Sequence, residues 1–213
     1  MKHSTTCLMA FICIFFFSTT ASAGWLVFHK PAFRGKVIDA ETKESIEGAV
    51  VVAVYNTHTI ISGPAGGDTS VIKVKETLTD KSGEFRFPSY TRLMQPNAID
   101  FDTEFIIYRA GYGNFPRQRI SPPKGLPSDT LEQYFLEDQF GKEGEVTITT
   151  GKKRGSKPRV IYGVVELPKM QTREERLRAK PRRPTDFGSK KLPLLYKAIN
   201  EERKNLGLKG EIE

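Results

Sequence analysis

Residues Arg34 to Phe87 constrain this chain more than any other stretch: RGKVIDAETKESIEGAVVVAVYN, a glycine-rich insert, and then ETLTDKSGEFRFP. In Phe33 to Asp39, Phe33, Gly35, Val37 and Asp39 fall on one phase of a short strand and Arg34, Lys36 and Ile38 on the other. Ala40 to Ser45 is polar and turn-like, and Ile46-Glu47-Gly48 leads into Ala49 to Tyr55, an unbroken apolar run rich in valine. A strand with one wet face would alternate, so this one reads as buried on both faces. Gly63-Pro64-Ala65-Gly66-Gly67 makes a loop of His58 to Ser70, and alternation returns from Val71 to Thr79. Asp80-Lys81-Ser82-Gly83 reads as a tight turn, because an Asp side chain accepts from amides two or three residues on and glycine takes positive φ freely. Glu84 to Phe87 resumes the strand with Phe85 and Phe87 facing in, so the spacing predicts two hairpin-like units. Thr103 to Ala110 is a further strand, stopped by Gly111-Tyr112-Gly113.

The motifs Gly35-Lys36-Val37-Ile38-Asp39, Ile46-Glu47-Gly48-Ala49-Val50-Val51, Thr79 to Phe87 and Gly111-Tyr112 together resemble the carboxypeptidase regulatory-like domain family. The resemblance covers roughly residues 33 to 112. It implies a mainly β, transthyretin-like (immunoglobulin-like) seven-stranded sandwich used as an accessory module. The chain departs from the usual pattern at Ser45, where a Pro is common, and in its inserts at 57 to 70 and 88 to 102. The matching positions are turn and core positions, so they speak to fold and are silent on chemistry.

Ahead of this region Lys2 and His3 precede an apolar run from Cys7 to Phe17, and Ala21-Ser22-Ala23 offers small residues at a cleavage site. Residues 1 to 23 are therefore expected to be a signal peptide, with a soluble, exported product beginning at Gly24. The apolar run falls short of the about 20 residues that cross a bilayer. Both cysteines, Cys7 and Cys13, would leave with it, so stability must come from core burial without a disulfide. A chain of this size can bury roughly 70% of its unfolded surface. The core residues read from the pattern are Val37, Val51, Val54, Phe85 and Phe87, all ahead of Leu167, so truncation after Leu167 is expected to spare the sandwich.

The formal charge of +8 is unevenly spread: residues 24 to 150 hold 14 Lys and Arg against 17 Asp and Glu, and residues 151 to 213 hold 18 against 8. The expected organisation is a sandwich over 30 to 115, a mixed extension over 116 to 167 and a basic, partly helical tail over 168 to 213. Ser128 or Asp129 is positioned to cap a short helix running to about Phe140. Glu145 to Thr150 and Arg159 to Leu167 read as strands around the basic loop Gly151 to Pro158. Thr172-Arg173-Glu174-Glu175 is a capping box, and Leu192 to Leu206 is an amphipathic helix with Pro193 in its first turn.

Catalytic motifs are missing from this pattern. Behind the expected cleavage site only His29 and His58 remain, with no Cys, no His-Glu metal spacing and no Gly-x-Ser-x-Gly. The purine-pathway hydrolases of transthyretin-like fold need cavity histidines that are not visible here. The expectation is a protein that is not an enzyme and needs no cofactor. Asp100, Asp102 and Glu104 alternate with Phe101 and Thr103, so an extended chain would project all three carboxylates to one side, either to share a calcium ion or as a solvated face. Lys152, Lys153, Arg154 and Lys157 lie in a loop whose amides could hold an anion, or simply face water. The basic tail would suit an anionic envelope surface or polymer, or be a solvated extension. Phe187 is the lone aromatic between Lys169 and Lys191, too little stacking surface for nucleic acid. The helix over 192 to 206 would dock in cis or on a protein partner. The leading expectation is an exported accessory or binding protein, with a structural or assembly component of the cell envelope as the alternative.

Overall fold

A computed structural model describes residues 27–59, 69–93, 98–148, 155–182, 184 and 191–210. Within them the chain is mainly β. The strands are β1 (Val27–Lys30), β2 (Phe33–Asp39), β3 (Val50–Thr59), β4 (Thr69–Leu78), β5 (Glu84–Phe87), β6 (Tyr90–Leu93), β7 (Ala98–Tyr108), β8 (Glu143–Glu145), β9 (Arg159–Ile161) and β10 (Val164–Leu167). Three helices join them: α1 (Ser128–Tyr134), α2 (Arg173–Arg178) and α3 (Pro193–Asn205).

The valine run lies at the middle of this arrangement, as its unbroken hydrophobicity predicts. β3 is the central strand of an antiparallel sheet ordered β4-β3-β7. Val51, Ala53 and Tyr55 face one core, and Val50, Val52 and Val54 face another. The first core is closed by a second sheet, β10-β2-β5, which supplies Val165, Leu167, Phe33, Val37, Phe85 and Phe87. The second core is closed by α3 through Leu192, Leu195, Tyr196, Ala198 and Ile199, so the layers run sheet, sheet, helix. Truncation after Leu167 would remove that last layer, contrary to the sequence expectation. Val54 belongs to the core that the tail covers.

The turn at Asp80 to Gly83 forms by the predicted chemistry but does a different job. Asp80 Oδ1 accepts from Ser82 N at 2.8 Å, Ser82 Oγ at 2.6 Å and Glu84 N at 2.9 Å. Gly83 has φ +75° and its carbonyl accepts from Val37 N at 2.8 Å. That bond ties the turn to β2, so β5 pairs with β2 instead of folding back on β4. The link from β4 to β5 thus crosses between the sheets, as does the link from β2 to β3. The hairpin in this region is β3 with β4. A Cβ on Gly83 would stand 2.5 Å from the Val37 carbonyl oxygen. Gly83→Val should therefore destabilise by more than about 1 kcal/mol, from positive φ and this clash together, while Lys81→Ala at an exposed position leaves the denaturation midpoint nearly unchanged. Equal midpoints in urea would contradict this account of the turn.

Other boundaries moved for local reasons. β7 begins at Ala98 rather than Thr103, and the 88 to 102 insert contains β6, which pairs with β1. The expected strand from Arg159 to Leu167 breaks at Tyr162-Gly163, where Gly163 takes φ +79°, giving β9 with β8 and β10 parallel to β2. α1 ends at Tyr134, short of Phe140, and its N-cap is Pro127 with no side-chain cap, not Ser128 or Asp129. The capping box of α2 is present in full, Thr172 with Glu175. α3 starts on Pro193 as predicted.

The main core runs across the boundary drawn at 115 and 116. Phe135, directly after α1, is fully buried and meets Phe105 at 4.5 Å, Tyr134 at 5.2 Å, Phe115 at 5.6 Å and Phe85 at 5.7 Å between ring centroids. Tyr134 donates its hydroxyl to the Ile161 carbonyl at 2.8 Å and to that of Val164, holding α1 against the β9 to β10 corner.

Candidate functional site

β7 is the last strand of its sheet, and what lies beyond it is loop. Phe115 N bonds the Ile107 carbonyl at 2.9 Å, so the segment after Gly113 runs briefly as a partial next strand and then turns away. Arg119 fixes that turn. It is buried, its guanidinium lies 4.6 Å from the Phe115 ring centroid, and it donates to the carbonyls of Pro122 at 2.5 Å, Pro116 at 2.7 Å and Pro123 at 2.8 Å. Burial lowers its pKa to about 10, so it is charged at neutral pH and its charge is spent on these carbonyl dipoles. Asn114 in turn donates to the Ala179 carbonyl at 2.7 Å, which joins the loop to the end of α2.

A cleft of about 610 Å³ opens between this loop and the outer face of the sheet. Its size is within the range of small-ligand sites. Val54, Val71, Ile106, Leu126 and Leu131 make apolar walls, and Asn56, Glu104, Arg117 and Arg182 supply polar groups. Beside it the β3 to β7 register shifts between Tyr55 and Thr57, a bulge that falls at Phe101 and Asp102 on β7. Bulges re-aim side chains, and Asp102 is the result here: 6% exposed, with neither carboxylate oxygen in a hydrogen bond. Glu104, two residues on and paired with Val54, keeps contact with solvent. Its pKa is raised, first by partial burial against the cleft wall and then by the Asp102 charge, with Arg182 opposing.

Of the three predicted carboxylates, then, Asp102 is buried rather than displayed on a solvated face, Glu104 lines the cleft, and the side chain of Asp100 lies outside the described residues. Among the described residues no three acidic, His or Cys side chains converge as metal ligands. Lys152, Lys153 and Arg154 also lie outside the described residues, while Lys157 is exposed just past the bridge between Ile148 and Ser156. Asn56, Arg117 and Arg182 were not singled out by sequence reasoning. They reach the cleft from three separate segments, and Arg182 is one more cation in a basic run.

Much of the basic tail is engaged within the chain. Arg176 forms two 2.7 Å bonds to Glu202, which is buried, and Arg178 pairs with Glu174 at 2.5 Å. α3 is held at its start by Glu76 of β4, whose carboxylate accepts from Leu194 N at 2.6 Å and Leu195 N at 3.1 Å. A carboxylate there satisfies open amides and the positive end of the helix together. No helix among the described residues is long and apolar enough to cross a membrane. No protein-family model, curated protein or solved structure matches this chain.

Proposed function

We propose that this protein is a non-enzymatic exported accessory module, of the transthyretin-like, carboxypeptidase regulatory-like kind, that binds a small ligand in the cleft beside β7. The cleft carries the reading: it combines apolar walls with charged groups that the fold itself does not consume, as binding sites do and solvated surfaces do not. The crossing of both β2 to β3 and β4 to β5 between facing sheets supports a sandwich of this general kind. Export rests on the residues ahead of Gly24.

Two other expectations have less support. The apolar face of α3 is covered by the sheet, so an assembly partner at 192 to 206 would have to meet its outer, polar face. An anionic envelope surface would have to act through cations other than Arg176 and Arg178, which are already paired.

The test is a fragment screen read by methyl resonances on the chain beginning at Gly24. Fragments should perturb Val54, Val71, Ile106, Leu126 and Leu131 as one set. Perturbations scattered over the surface, or none at these five, would remove the cleft as a binding site.

A further inference from the structure

We infer that the cleft takes a small organic acid with a hydrocarbon body: its acid group on Arg117 and Arg182, its body on the apolar walls, and an amide or hydroxyl group on the side chain of Asn56. The inference rests on the cleft being a ligand site and names what that site would recognise.

Asn56 interrupts an apolar row on the central strand. Alternation carries the series Val50, Val52, Val54 on to Asn56, and α3 covers the three valines. Beyond them the cleft takes the place of the helix, with Val54 and Asn56 both in its lining. The strand also bulges here: its register with β4 shifts between Tyr55 and Asn56, and its pairing with β7 passes from Tyr55 and Thr103 to Thr57 and Asp100, leaving Asn56 without a partner position. Bulges re-aim side chains. Asn56 is 4% exposed, and its side-chain amide takes part in no hydrogen bond among the described residues. The other buried asparagine, Asn114, has the Ala179 carbonyl at 2.7 Å. A buried amide left unbonded is unfavourable, and one that borders a cleft is placed to bond a polar group entering it.

Charge and wall chemistry select the rest of the ligand. Arg117, Arg119 and Arg182 line the cleft against one carboxylate, Glu104, and Asp102 is not among the lining residues. The lining is therefore positive overall, which favours an acid over an amine. Arg119 is held by its proline carbonyls, so it adds positive potential rather than a contact that can move. Arg117 and Arg182 are exposed, and neither takes part in an ion pair among the described residues, which leaves both guanidinium groups for an acid at the rim. Charge-assisted bonds of this kind are the strong ones, and guanidinium geometry suits a carboxylate. Val54, Val71, Ile106, Leu126 and Leu131 call for a hydrocarbon body, which an inorganic anion lacks.

Calorimetric titration of the chain from Gly24 at neutral pH tests this, with N-acetyl-leucine, its neutral amide N-acetyl-leucinamide, octanoate and inorganic phosphate as probes. N-acetyl-leucine should bind, and amidation should weaken it about tenfold or more, because the charged contact is lost. Arg117→Gln combined with Arg182→Gln, both at exposed positions, should weaken N-acetyl-leucine by a similar factor and leave the thermal midpoint of the ligand-free protein unchanged. Asn56→Leu should weaken N-acetyl-leucine about fivefold and leave octanoate, which has no amide, bound as tightly or more so. It should not lower the ligand-free midpoint, since hydrocarbon replaces polar atoms that no described residue bonds. Equal binding of N-acetyl-leucine and its amide would overturn the inference, as would full affinity in the double arginine variant, phosphate binding as tightly as N-acetyl-leucine, or equal effects of Asn56→Leu on N-acetyl-leucine and octanoate. If fragments occupy the cleft and the acid group makes no difference, this inference fails and the cleft remains a ligand site. If nothing occupies the cleft, both fail.

Discussion

A chain ending at Leu167 is expected to lose its cooperative fold. The helix that it would lack, α3, places Leu192, Leu195 and Ile199 at essentially zero exposure against Val50, Val52, Val54 and Tyr108. Cutting one such side chain to alanine costs about 2–5 kcal/mol. Losing several at once, with the outer face of the central sheet opened to water, competes with a total stability of about 5–15 kcal/mol. Leu195→Ala alone should lower the denaturation midpoint by an amount corresponding to about 2–5 kcal/mol, and truncation should abolish the transition or drive aggregation. Circular dichroism melts with size-exclusion profiles provide the comparison. A truncated chain that melts cooperatively near the full-length midpoint would show that the helix adds little to the sheet beneath it.

Phe135→Ala should have the second largest effect. Four aromatic rings have centroids within 6 Å of the Phe135 ring, drawn from β5, β7, the loop after Gly113 and α1. Deleting the shared ring leaves a hole that four elements border, and rigid rings on separate elements cannot all move in to fill it. The cost is about 3–5 kcal/mol, or a drop of roughly 6 to 20 °C in melting temperature for a chain of this length. Phe140→Ala is the control. That ring is only partly buried, with the Arg34 guanidinium 4.5 Å from its centroid, and its removal should lower the midpoint far less. Equal losses would mean that Phe135 is not the hub that the ring distances describe.

Local features were the readable part of this fold. The valine run, the Asp80 turn, the Thr172 capping box and the Pro193 helix start each depend on residues within a few positions, and each formed. The partner of the turn was not readable in the same way. Whether Glu84 to Phe87 folds back on β4 or crosses to β2 depends on a bond between Gly83 and Val37, residues far apart in the chain, and no local pattern encodes it. The core contribution of Phe135 was hidden for a related reason, since it follows a short helix whose neighbours come from much earlier in the chain. In the candidate site the acidic alternation around Asp102 was visible, and its burial was not, because a bulge against β3 decides which way that stretch turns. Arg182 lines the cleft from just beyond α2, whose end is held against the loop by bonds from Asn114 and Gln118 that no local pattern announces.

The parallel pairing of β10 with β2 sets Val165 beside Val37, and α3 comes later still. A polypeptide that leaves a narrow passage first residue first would hold β2 and β3 in the open, with one sheet incomplete and the other bare, until nearly its whole length had emerged. Contacts between distant parts of a chain also form slowly. For any chain that emerges in this direction, the order of the strands makes the closing of both layers the last contacts available.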